Sequence, residues 1–110
     1  RAADFNKAER GFSNLVSNSP NSPLMPHFYY WLANSQYATG NFKEAAQNYK
    51  QMLARASNQP KAAEAMFGLA NCLQELKDTK AVKKVLQDLI KNYPSSDLVN
   101  NAKNRLKNMK

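Results

Sequence analysis

A chain of 110 residues fits one domain, and its single cysteine and single histidine exclude both a disulfide framework and an ordinary all-protein Cys/His zinc site. No apolar run approaches the roughly 18 residues that span a membrane, so no membrane insertion is expected. Sixteen Lys and Arg against eight Asp and Glu leave a net charge of +8, which steers acidic partners; the basic residues are spread along the chain without interleaved exposed aromatics, so no nucleic acid is expected.

Apolar residues recurring at three and four place a first helix at residues 4 to 18, with Phe5, Ala8, Phe12 and Leu15 on one face. A second helix, 23 to 39, opens on Ser22 and Pro23, since proline is tolerated in a first turn, and packs through Met25, Phe28, Tyr29, Leu32, Ala33 and Gln36. Gly40 ends it. Asn41 is expected to cap the third helix, 42 to 56, with Glu44 reaching back in a capping box, and Ala45, Tyr49, Met52 and Leu53 form that helix's stripe. Pro60 opens the fourth helix, 60 to 77. Asp78 or Thr79 caps the fifth, 79 to 92, which Pro94 stops, and the sixth covers 96 to 109. No segment alternates at period two for long enough to be a strand, so the fold class is all-α.

These helices repeat with a period of 37 residues. Ala8, Ala45 and Val82 align at that spacing, as do Phe12, Tyr49 and Leu86; Leu15, Met52 and Leu89; Phe28, Ala65 and Ala102; and Leu32, Leu69 and Leu106. The unit is helix, tight turn, helix. Residues 1–110 therefore read as a single superhelical domain of about six antiparallel helices. Residues 4–18 are the second helix of a truncated repeat, 23–56 and 60–93 are complete repeats, and 96–109 is a closing first helix. With its opening helix missing, the chain is expected to be a fragment in which Phe5, Phe12 and Leu15 lack a packing partner.

The columns resemble the tetratricopeptide pattern, an aromatic followed by x-x-Leu-Gly, then Ala-x-x-x-Phe, then Pro. Here they read Tyr29-x-x-Leu32-Ala33 with Ala45-x-x-x-Tyr49, and Met66-x-x-Leu69-Ala70 with Val82-x-x-x-Leu86 and Pro94. Ala33 and Ala70 replace the usual Gly and still let two helices approach closely. A narrower likeness, carried by FYYWLANSQYATGNFKEAAQNY, PKAAEAMF and KNYPSSD, is similar to the C-terminal repeat domain of the CpoB (YbgF) family, Tol-Pal-associated cell division coordinators. That resemblance implies a periplasmic location, a TolA-like protein partner, and a role coupling outer-membrane constriction with septal peptidoglycan synthesis, alongside a septal peptidoglycan synthase. It also implies a homotrimer formed through an N-terminal coiled coil, a segment this sequence does not contain. The stretch ARASNQP after Leu53 departs from the family's tyrosine-proline.

Stacked helical units bind partners on the concave groove lined by the first helix of each unit. With Ala33 and Ala70 as the close-approach positions, that groove is expected to carry Tyr30, Asn34 and Tyr37 with His27, then Phe67, Asn71 and Gln74 with Glu64, then Asn104 and Asn108 with Asn101. Asn34, Asn71 and Asn108 recur at one repeat offset and make a ladder of amides suited to the backbone of an extended peptide. Tyr29 belongs to the core column. Trp31 lies between the columns, flanking the groove or filling a seam; His27 is exposed at a helix start, and Cys72 is a small buried filler.

No catalytic residue, cofactor site or metal ligand set is expected. His27 and Cys72, the only base and nucleophile of the usual type, sit on successive first helices at heights offset by roughly 12 Å, at about 1.5 Å per residue. The chaperone-type carboxylate clamp needs Lys and Arg beside its asparagines, yet Tyr30 and Phe67 occupy those places and only Arg105 has a comparable one. The expected function is a non-enzymatic protein interaction scaffold. The alternatives are an assembly subunit for outer-membrane protein insertion, a generic peptide-binding adaptor, or a basic surface for nucleic acid or anionic lipid.

Overall fold

The computed structural model of the protein describes residues 2–18, 24–56 and 61–109, and among them every regular element is helical. In chain order these are α1 (Ala2–Asn18), α2 (Met25–Ala38), α3 (Phe42–Arg55), α4 (Ala62–Glu75), α5 (Thr79–Asn92) and α6 (Val99–Asn108). Each helix packs against its neighbour in the chain, and α2 also reaches α4. The expected all-α superhelix is the fold that forms.

Burial grades along the array. In the middle, α4 buries eight residues, among them Ala65, Leu69, Ala70 and Cys72, whereas α6 buries only Val99 and Ala102. A helix flanked on both sides hides most of its circumference, and an end helix hides one stripe. Ala33 and Ala70 are fully buried, as close approach at those positions requires, and Leu15 on α1 is 41% exposed.

Two turns repeat the same backbone motif. After α2, Gly40 takes φ +85° and donates its N–H to Tyr37 O, while Asn41 donates to Gln36 O at 2.8 Å. These are the two bonds of a Schellman ending, which satisfies carbonyls the helix leaves open. After α4 the same pair runs from Lys77 to Gln74 O and from Asp78 to Leu73 O, with Lys77 at φ +65°. A lysine thus holds the left-handed position that glycine holds one repeat earlier.

Several expected helix ends need correction. The capping box at α3 does not form: Asn41 makes no side-chain cap, and its amide donates instead to Glu9 Oε1 of α1 at 3.3 Å and to Thr39 Oγ1. A carboxylate acceptor supplied by α1 draws the amide away from the helix start. At α5, Asp78 does cap, accepting the Ala81 N–H at 3.2 Å. The closing helix begins at Val99 and not at 96, because residues past Pro94 form turns in which Ser96 Oγ accepts the Leu98 N–H at 3.1 Å. Regular helix in α4 stops at Glu75, short of 77, where the backbone turns left-handed at Lys77. Ser22, Pro23 and Pro60, expected to open helices, lie outside the described residues, as does the side chain of Phe5; α2 itself begins at Met25 with Pro26 in its first turn.

Candidate functional site

The first helices of the units, α2, α4 and α6, are joined side by side through polar side chains at one stagger. Tyr30 Oη donates to Glu64 Oε2 at 2.9 Å across α2 and α4, and Arg105 Nη1 donates to Asn71 Oδ1 at 2.7 Å across α4 and α6. Both pairs are separated by 34 residues, three short of the repeat, so the same lateral relation links successive units.

At the α2–α4 end, Trp31 stands 44% exposed, with the Tyr30 ring edge-on to it at 5.2 Å. Lys61 Nζ lies 5.3 Å from the Tyr30 ring centroid and 5.8 Å from that of Trp31, and 3.7 Å from Glu64. An aromatic pair flanked by one cation and one carboxylate offers both apolar area and polar anchors. Burial pushes the Tyr30 phenol up, its bond to Glu64 adds to that, and Asn34 pulls the other way. The phenol stays a donor at neutral pH.

At the α4–α6 end, Arg105 is held, among the described residues, by neutral groups. Its second guanidinium nitrogen donates to Gln74 Oε1, and its plane lies 5.1 Å from the Phe67 ring centroid. Burial lowers the Arg105 pKa, with the nearby Tyr37 opposing the shift. Tyr37 is half-buried, edge-on to Phe42 at 5.3 Å, and its phenol is pushed up by burial and then by Glu75.

Two tetratricopeptide-repeat family models match this sequence, one over residues 1–60 and the other over residues 36–106. The chain belongs to the tetratricopeptide-repeat family. No curated protein is similar enough to it to count as a match. A tetratricopeptide-repeat domain is a protein–protein interaction module, and proteins built from such repeats are generally non-enzymatic scaffolds.

Within this tetratricopeptide-repeat domain, the expected groove residues divide into three kinds. Asn104 and Asn108 are exposed on α6. Asn34, Tyr37, Phe67 and Asn71 are half-buried, and Gln74 is exposed but bonded to Arg105. Tyr30 is only 8% exposed and is a bridge between helices, so it presents little surface to a partner. The amide ladder also differs from its expected form. Asn34 Oδ1 accepts the Tyr49 hydroxyl and its amide also bonds Tyr30, whereas Asn71 Oδ1 accepts Arg105 and leaves the Asn71 NH2 group to serve a partner.

Tyr29, placed in the core column, is half-buried with the Arg55 guanidinium carbon 4.8 Å from its ring centroid. Trp31 fills no seam. Cys72 is fully buried and its thiol is pushed up to about 12 by burial, while His27 is exposed. Lys61 had no place in the expected groove, Arg105 had one only by comparison with the carboxylate clamp, and Trp31 takes the exposed one of its two expected positions. The signal for Arg105 was its place three residues before Asn108 on a helix whose other polar residues are asparagine and lysine.

Proposed function

We propose that this tetratricopeptide-repeat domain is a periplasmic, non-enzymatic scaffold whose concave face holds a segment of a TolA-like protein, coupling outer-membrane constriction with septal peptidoglycan synthesis during cell division. The observation that carries the groove half of this reading is the row of side chains along α2, α4 and α6. Exposed Trp31, the NH2 group of Asn71, and exposed Asn104 and Asn108 together offer stacking area and amide hydrogen bonds to an extended chain. The partner and compartment rest on the sequence blocks FYYWLANSQYATGNFKEAAQNY and KNYPSSD, which resemble the CpoB repeat domain.

The experiment is co-precipitation of a TolA domain with the purified protein and with a triple variant, Trp31→Ala, Asn104→Ala and Asn108→Ala. These exposed residues are chosen because Asn34 and Asn71 also brace Tyr49 and Arg105, and altering them would confuse binding with folding. A loss of at least tenfold in affinity is expected. Unchanged affinity in the triple variant removes the groove, and no binding by the parent protein removes the partner.

A further inference from the structure

A cavity of about 480 Å3 opens where the ends of α4 and α6 meet the start of α5. Two cations, Lys77 and Arg105, line it, and among the described residues no carboxylate does. Gln74, Asn108 and Thr79 supply neutral polar groups, and Val82 and Met109 supply apolar wall. The acidic residues beside Lys77 in sequence do not line the cavity: the Asp78 carboxylate accepts the Ala81 N–H, and Glu75, like Arg105, lies near Tyr37.

Among the described residues, Arg105 bonds amide oxygens and no carboxylate. Its guanidinium carries five N–H donors, and its two bonds to side chains go to the neutral oxygens of Asn71 and Gln74. Taking a cation partly out of water without a counter-charge is costly, and a carboxylate placed at the open donors offsets that cost through charge-assisted bonds. The Asn71 and Gln74 bonds also fix the fork, so an incoming anion need not order it. The volume suits more than a bare ion: it accommodates a whole side chain with its adjoining peptide, and the apolar wall suits the methylene stem of such a side chain.

We propose that this cavity is an acidic-residue subsite, taking the carboxylate of a glutamate or aspartate side chain from the segment held on the concave face, with Lys77 and Arg105 as its counter-charges. The inference rests on the groove reading above and gives the bound segment a required chemistry at one end. It assigns Arg105 a specificity role in addition to its bridge between α4 and α6.

The test is a nuclear magnetic resonance titration of the isotopically labelled protein with three probes: N-acetyl-glutamate N′-methylamide, the corresponding glutamine compound, and inorganic phosphate. Saturable shifts at the Arg105 Nε–H and the Asn108 side-chain amide are expected with the glutamate probe, with the glutamine probe at least tenfold weaker. Lys77→Gly, which leaves a left-handed backbone position that glycine favours, should weaken the glutamate probe several-fold with the fold intact, and Arg105→Gln should abolish its binding. Equal shifts from the glutamate and glutamine probes overturn the subsite, as does glutamate binding unchanged in both variants. Phosphate binding in place of the glutamate probe overturns its assignment to a side chain. If the TolA domain binds while the glutamate probe does not, this inference fails alone; if the probe binds while the TolA domain does not, the partner reading fails alone.

Discussion

Gly68 of α4 lies against the ring of Tyr49 of α3 so closely that a Cβ on Gly68 would stand 2.6 Å from Tyr49 Cζ. Tyr49 cannot easily give way, because its ring is 3% exposed and its hydroxyl is bonded to Asn34 of α2. Three helices from two units therefore meet on one phenol. Gly68→Ala would ordinarily stabilise a helix interior by about 1 kcal/mol. Overpacking a filled site costs about 1–3 kcal/mol, and displacing the Tyr49 hydroxyl from Asn34 adds about 1 kcal/mol more. The net expectation is a loss of about 1–3 kcal/mol in urea unfolding; a variant more stable than the parent would show that the ring moves aside freely.

Lys77 sets up the opposite substitution. Its φ of +65° places it in the left-handed region, which costs an ordinary residue about 1–2 kcal/mol, whereas Gly40 meets the same need at the equivalent turn without a Cβ. Lys77→Gly should stabilise the protein by about 1 kcal/mol, a rise in melting temperature of about 4–8 °C for a domain of this size. Gly40→Ala should lower it by a similar amount. Thermal denaturation followed by circular dichroism checks both, and equal signs for the two would disprove the shared role of the two turns.

Much of this was legible from periodicity. The 37-residue period and the three-and-four spacing of apolar residues specify helices that must stack, and Gly40 specifies a turn, because each signal is local or recurs at a fixed offset. The side chains that bridge units were harder to read. Whether Tyr30 faces a partner or bonds Glu64, and whether Asn71 is free or holds Arg105, depends on the lateral stagger of α2, α4 and α6, which no single helix encodes. Asn41 shows the same difficulty at a helix end: its sequence context reads as a capping box, and a carboxylate from α1 overrides it. Gly68 carries no sequence signal of its own, since the phenol it meets comes from another helix.

The two helix starts at α3 and α5 should respond differently to substitution. Asp78 accepts the Ala81 N–H, so Asp78→Ala should cost about 1 kcal/mol as a lost cap. Glu9 on α1 instead gathers Gln36, Thr39 and Asn41 around one carboxylate, and Gln36 in turn accepts from Asn48 at 2.7 Å. Glu9→Ala should leave the α3 start formed and loosen the attachment of α1. Amide hydrogen exchange distinguishes the two: faster exchange in α1 alone is expected for Glu9→Ala, and protection of α1 equal to that of the parent would show that apolar packing holds it unaided.

Alkaline pH should weaken the fold through two buried acids. Burial pushes the Cys72 thiol from its usual 9 up to about 12 and raises the Tyr49 phenol above its usual 10. In both, the folded-state pKa lies above the unfolded one, so the neutral forms contribute fully below pH 9 and the contribution fades as the unfolded chain releases protons that the folded chain keeps. Stability should therefore be flat with respect to these groups up to about pH 9 and should fall between pH 9 and about 12, with Tyr49 joining above pH 10. Each group supplies a slope of at most about 1.4 kcal/mol per pH unit. Cys72→Ala should remove the portion that begins near pH 9 and leave only the Tyr49 contribution above pH 10. Urea unfolding at successive pH values measures this, and a Cys72→Ala profile that parallels the parent's from pH 8 to 10 would mean that the thiol reaches water in the folded state.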